Sequence, residues 1–158
     1  MRIIAIDPGF ERVGIAIIEK KKNVKEEVLF SECFKTSAKL SLAERLALIG
    51  KEIAAMIKEY EPERMAVESL FFMEKNRKSA IAVAEARGVI IYEGASAGLP
   101  IYEYTPMQVK VAVTGHGSAD KKQVIFMTEK LVTMPKKVSS DDEMDAIAIG
   151  LTCLAIEH

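Results

Sequence analysis

A continuous apolar run, Ile3-Ile4-Ala5-Ile6, ends abruptly on Asp7-Pro8-Gly9. No other stretch constrains the fold as much. An uninterrupted apolar strand is the pattern of a strand covered on both faces, hence one near the middle of a sheet. Pro8 and Gly9 stop the strand and reverse the chain, so Asp7 is delivered where the sheet opens to solvent. Taken alone, Asp-Pro-Gly is first of all a capping turn. Its meaning depends on whether the rest of the chain supplies partners for that carboxylate.

The elements that follow point to an α/β layer. Val13 to Ile18 predicts a second strand, the lysine-rich stretch 20–25 a hairpin, and Glu27 to Thr36 a third strand. Ser41-Leu42-Ala43-Glu44 is a capping box that opens a helix running to about Tyr60. Arg64 to Val67 is a short strand and, like the first, ends on an acid, Glu68. Ser79 to about Ala97 is helical and rich in small residues: Ala80, Ala84 and Gly88 share one face, Ala82 and Ala86 another. Such faces suit close helix contact within a core or across a dimer. Leu99 to Tyr104 is a fifth strand, and Thr105-Pro106 caps a helix that carries Lys110 and ends near Thr114. Ser118 can cap the next helix, broken at Met134-Pro135, and Asp141-Asp142-Glu143-Met144-Asp145 opens a final one.

At 158 residues the chain is expected to form a single domain, residues 1–158. The net charge of −1 gives no bulk argument for nucleic acid, so any such argument must be local. Lys20-Lys21-Lys22, Lys75 with Arg77 and Lys78, Lys121-Lys122 and Lys136-Lys137 are separate cationic clusters, each by itself compatible with a solvated face. Lys121 and Lys122 fall in the first turn of a helix, against its dipole, which suggests a use such as phosphate binding. Phe71 and Phe72 lie between Glu68 and those cations, as core residues or as a wedge for unstacking bases. Cys33 and Cys153 are far apart and outside any CxxC pattern, so both are expected to be small core residues in a reducing compartment. With no secretion signal and no apolar run near the ~20 residues of a membrane span, a cytoplasmic location is expected.

Four acids then need a common account. Asp142 and Asp145 are three apart and share a helix face. Asp142 could be a cap, but Asp145 borders the apolar Ala146-Ile147-Ala148-Ile149, where an acid needs a partner or a metal. Asp141 and Glu143 point elsewhere and are expected at the surface. Asp7 and Glu68 at strand ends, with Asp142 and Asp145 on a helix, repel one another unless cations are present. Hard divalent cations demand such oxygen ligands. This is the donor set of two-metal phosphodiester hydrolysis, in which ions about 3.5–4 Å apart serve the attacking water and the leaving 3′ oxygen.

The chain resembles the RuvC family of Holliday junction resolvases, within the RNase H-like nuclease superfamily. The likeness runs through Asp7-Pro8-Gly9, Glu68-Ser69-Leu70-Phe71-Phe72, Ala86-Arg87-Gly88-Val89 and Glu103-Tyr104-Thr105-Pro106. It continues through Val109-Lys110, Ala112-Val113-Thr114-Gly115, Lys121, Gln123-Val124 and Asp142-Glu143-Met144-Asp145-Ala146-Ile147-Ala148-Ile149. It implies an RNase H-like α/β fold with a five-stranded mixed sheet flanked by helices. It also implies a homodimer that resolves four-way DNA junctions by paired symmetric nicks, leaving 5′-phosphate and 3′-OH ends. Mg2+, two ions per active site and replaceable by Mn2+, would be held by Asp7, Glu68, Asp142 and Asp145. Lys110 and Lys121 match the family's DNA-contacting lysines and Phe71 an aromatic near the junction centre. Phe72, Lys75, Arg77, Lys78 and Lys122 complete the expected DNA-binding set. A branch-migration motor is a further partner implied by resemblance alone.

The chain departs from the family pattern at Phe10, at Val13-Gly14-Ile15-Ala16 and at Glu143-Met144, which bears on the shape of the DNA channel. Competing readings are an RNase H-like nuclease acting on RNA–DNA hybrids or ribosomal RNA, a non-catalytic junction-binding module, and an actin-like ATP-binding domain. The last normally needs a second such domain and further glycine-rich phosphate loops, which this chain lacks.

Overall fold

The structure, a computed structural model, describes residues 1–69, 77–135, 137–138 and 140–157, with backbone alone at 77 and 78. Strands β1 (Arg2–Asp7), β2 (Arg12–Glu19) and β3 (Glu26–Lys35) form an antiparallel meander. Helix α1 (Leu42–Tyr60) leads to β4 (Arg64–Glu68), which lies parallel to β1. Helix α2 (Arg77–Ser96) leads to β5 (Ile101–Tyr104), parallel to β4. Helices α3 (Pro106–Thr114) and α4 (Lys121–Leu131), the short β6 (Val132–Thr133) and helix α5 (Asp141–Ile156) follow. The strand order is β5-β4-β1-β2-β3-β6, so β1 is interior, as its unbroken apolar run requires.

The sheet has six strands, one more than expected. The addition is β6, which pairs with β3 through Glu26–Val132 and Glu27–Thr133. Two residues carry no alternating pattern, so nothing in the sequence marks them as a strand. Helix α4 is also capped differently. Asp120, not Ser118, is its N-cap, and Asp120 and Gln123 form a reciprocal capping box.

Strand parity divides the core. Ile4, Ile6, Ile15, Ile17, Met65 and Val67 face α1 and α2. Ile3, Ala5, Ala16, Ile18 and Ala66 face α5 and its neighbours. Because side chains alternate, Asp7 and Glu68 continue the second set and point to the α5 side. The β1–β4 register pairs Ile6 with Val67, so the next residues along, Asp7 and Glu68, are neighbours across the strands.

Helix α5 is buried on nearly all sides from Glu143 to Leu154, the mark of a central helix. It sits low on the sheet because small residues lie beneath it. A Cβ on Gly14 would collide with the backbone carbonyl oxygen of Asp142 and stand 3.2 Å from Asp7 Cβ. A Cβ on Gly150 would stand 2.5 Å from Ile18 Cδ1 and 3.0 Å from Ala5 Cβ. On α2, Ala82 and Ala86 face the core, as does Gly94 against Met65, while Gly88 is exposed with no heavy atom within 4 Å of a built Cβ. No helix among the described residues is long and apolar enough to cross a membrane.

Gly14 meets rigid backbone, whereas the nearest atom to Gly150 is the tip of a flexible side chain. Gly14→Ala is therefore expected to destabilise the protein by about 1–3 kcal/mol, and Gly150→Ala by less. Urea-unfolding midpoints of the two variants measure the order; equal midpoints would mean that α5 can lift at no cost.

Candidate active site

Three elements deliver the four acids. Asp7 ends β1, Glu68 ends β4, and Asp142 and Asp145 lie on the first turns of α5. Asp142 is not the cap of α5; that position is held by Ser140, whose side chain makes no cap hydrogen bond. The first turn of α5 instead carries Asp141, Asp142 and Glu143, which suit the positive end of its dipole.

The acids feel one another. Burial pushes Asp7 up to about 8, helped by the charges of Glu68, Asp145 and Asp142 and opposed by Lys121. Burial and Asp145 push Glu68 up to about 7, again against Lys121. Asp145 is also raised, mainly by burial and despite Lys121. Asp142 goes the other way. Burial alone would raise it, but the hydrogen bonds and charge of Arg12, with Cys33 and Ser140, together hold it below the usual carboxylate range.

Two cations divide the site between them. Arg12 Nε donates to Asp142 Oδ2 at 2.8 Å and Nη2 lies 2.5 Å from the same oxygen. Lys121 Nζ lies 3.1 Å from Asp145 Oδ2 and 3.2 Å from Asp141 Oδ2. Among the described residues neither Asp7 nor Glu68 has a salt bridge. A cleft of about 300 Å3 opens beside them, lined by Glu68, Asp145, Lys110, Lys121, Pro106, Val109 and Val124.

Among the described residues no three acids, histidines or cysteines form a ready-made metal cage. The donor set nevertheless fits hard divalent cations. It is all oxygen, and the raised values of Asp7 and Glu68 reflect burial first and neighbouring carboxylates second, two penalties on the charged forms that such ions would relieve.

The expected lysines separate. Lys121 and Lys110 line the cleft, whereas Lys122 is exposed and outside its lining. Lys20 and Lys21 pair with Glu26 and Glu19 at the opposite end of the sheet from Asp7. Phe71, Phe72, Lys75 and Lys136 lie outside the described residues, as do the side chains of Arg77 and Lys78. The chain just before 70–76 is moored: Ser69 N and Oγ donate to the Tyr104 carbonyl at 2.9 and 3.2 Å. Arg87 Nε donates to the Glu68 carbonyl at 3.1 Å, and its guanidinium pairs with Glu103.

Several residues differ from expectation. Glu143 is buried, not at the surface, and accepts a 2.6 Å hydrogen bond from Ser31 Oγ on β3. Helix α5 is enclosed on that side, so position 143 has no route to solvent. Cys33 is only half-buried, and its thiol lies 3.5 Å from Asp142 Oδ2. Phe10 lies under the guanidinium of Arg45, 5.4 Å from ring centroid to Cζ. The buried Arg45 also donates to the Ser37 carbonyl at 2.9 Å. Arg12 was not among the expected site residues. Its signal was parity, since Arg12, Gly14, Ala16 and Ile18 share one face of β2.

Comparison with known proteins agrees with this fold. The model of the family described as crossover junction endodeoxyribonuclease RuvC matches residues 3–153. RuvC of Desulfitobacterium hafniense is 45% identical over 96% of this chain and 90% of its own length. RuvC of Thermosipho melanesiensis is 44% identical over 99% of this chain and 98% of its own. Thermus thermophilus RuvC, solved in complex with Holliday junction substrate, superposes with a TM-score of 0.91. It is 33% identical, over 98% of this chain and 93% of that one. A yeast mitochondrial Holliday junction resolvase shares the fold at a TM-score of 0.71 and 10% identity, over 96% of this chain and 76% of its own.

The raised carboxylates set a pH dependence. An unfolded Asp titrates near 3.8 and folded Asp7 near 8, so between these values the native state holds the extra proton. Stability of the metal-free protein therefore falls as pH rises through that window and levels off above it. Glu68 adds the same sign between 4.5 and about 7. Asp7→Asn is expected to exceed wild type in stability by more than about 1 kcal/mol at pH 8 and to converge with it near pH 4. Denaturant unfolding in chelator across that range measures this; a wild-type midpoint that climbs with pH contradicts it.

Proposed function

The chain belongs to the RuvC family of crossover junction endodeoxyribonucleases, and from that premise we propose that it cuts four-way DNA junctions at the cluster Asp7, Glu68, Asp142 and Asp145. The observation that carries this reading is the convergence of four carboxylates from β1, β4 and α5, in which burial and neighbouring acids raise Asp7 and Glu68, two residues without an ion pair among the described residues, next to a cleft that Lys110 and Lys121 also line. Proteins of this family are metal-dependent nucleases. Here the four acids would hold two divalent cations, Mg2+ or Mn2+. When bound, these supply an activated water and stabilise the departing 3′ oxygen, leaving 5′-phosphate and 3′-OH ends.

The chain's own residues do the remainder. The low position of α5 over Gly14 keeps Asp142 and Asp145 facing the strand-end acids. Lys110 and Lys121 offer positive charge to a phosphate entering the cleft, and Lys121 neutralises Asp145 until then. Phe71, Phe72, Lys75, Arg77, Lys78 and Lys122 are proposed as further DNA contacts on sequence grounds. Resolution by two symmetric nicks requires two sites, hence a homodimer. Support for one comes from α2, where Ile81 and Tyr92 are 58% and 67% exposed near the open face of Gly88. A motor partner rests on family membership alone. The whole chain, residues 1–158, is proposed to act as one nuclease domain.

The deciding experiment is incubation with Mg2+ and a mobile four-way junction, with an RNA–DNA hybrid in parallel. Paired symmetric nicks in the junction are expected, lost on chelation, together with junction binding that weakens steeply with salt. Asp7→Asn is expected to reduce cleavage to background while junction binding persists. Preferential cutting of the hybrid would overturn the substrate, and cleavage by Asp7→Asn would remove Asp7 from the chemistry.

A further inference from the structure

Arg12 opens β2 two residues before Gly14, on the face that looks toward α5. Its side chain converges on a single oxygen. Nε and Nη2 lie 2.8 and 2.5 Å from Asp142 Oδ2. Ser140 Oγ donates to that oxygen at 3.2 Å and Cys33 Sγ approaches it at 3.5 Å. Arg12 Nη2 also reaches Ser140 Oγ at 3.3 Å, which ties the guanidinium to the N-cap of α5.

The base of this side chain is held while its tip is free to leave. The Arg12–Lys35 pairing fixes the backbone of β2. The preceding turn is pinned by Phe10 beneath Arg45, and by Thr36 Oγ1 and N, which donate to Phe10 O at 2.5 Å and to Glu11 O at 3.0 Å. The Arg12 side chain itself is 51% exposed, so water can take over its hydrogen bonds at small cost. The Asp142 side chain is 27% exposed and reachable from the same side.

We propose that Arg12 is the built-in counter-ion of Asp142, a positioning residue that holds this carboxylate facing the site and competes with a divalent cation for it. The inference rests on the reading of Asp142 as a metal ligand. A hard cation requires carboxylate lone pairs, and Arg12 with Ser140 and Cys33 occupies those of Oδ2. An ion that binds through Oδ2 must therefore displace the guanidinium from that oxygen. Lys121 stands in the same relation to Asp145, but it is shared with Asp141 and is already placed in the cleft. Arg12, among the described residues, engages Asp142 and no other acid.

The test is Mn2+ titration of the full-length, DNA-free protein, read by calorimetry and by the loss of the free-ion electron spin resonance signal. Arg12→Gln removes the competitor and is expected to tighten Mn2+ binding about two- to fivefold, the scale of a partly exposed ion pair. Arg12→Lys keeps the charge but not the fork and is expected to fall between that variant and wild type. Unchanged or weaker Mn2+ binding by Arg12→Gln overturns the proposal. So does equal tightening when Arg12→Gln is made in an Asp142→Asn background, because the effect would then be general repulsion and not competition at Asp142. Asp142→Asn alone separates this from the functional reading. If it leaves Mn2+ binding unchanged, the assignment of Asp142 as a ligand fails; if it weakens binding, that assignment stands whatever Arg12 does. Urea-unfolding midpoints confirm that each variant is folded before titration.

Discussion

The close approach of α5 to the middle of the sheet is the constraint on which the structure depends. A helix normally rides on a sheet at a distance set by the side chains between them. Here Ala5, Ala16 and Ala66 lie on the helix-facing side, and Gly14 and Gly150 remove the remaining bulk. The helix sinks until the Asp142 carbonyl rests over Gly14, the residue paired with Asp7 across β1 and β2. The same packing that buries an apolar helix thus brings its acids level with those at the strand ends. Fold and site are one arrangement: a side chain at Gly14 would both loosen the core and separate the carboxylates.

Such closeness has an electrostatic cost, and the chain meets it unevenly. Arg12 takes Asp142 and Lys121 takes Asp145, whereas Asp7 and Glu68 carry raised affinities for protons. The strand-end pair, buried and close to other carboxylates, therefore favours its protonated form in the metal-free protein, while the two helix acids each have a cation beside them.

Much of this was legible in the residues. Two apolar strands that each stop on an acid announced Asp7 and Glu68. The capping box of Ser41 with Glu44 and the Thr105-Pro106 cap marked the starts of α1 and α3. What escaped notice depends on distant partners. Glu143 looks like a surface acid until Ser31, 112 positions earlier, is known to face it. Arg12 looks like the polar start of a strand until the register sets it beside a helix 130 positions later. Strand β6 is defined wholly by its neighbour β3, and a two-residue strand has no pattern of its own. At α4 two capping residues competed, and Asp120 prevailed because Gln123 could return its hydrogen bond.

Ser69 is fastened to Tyr104 and Arg87 to the Glu68 carbonyl, so the chain around Glu68 is anchored independently of residues 70–76. Substitutions or insertions within 70–76 are therefore expected to leave the backbone that presents Glu68 in place, so that one end of the segment can vary without moving the other.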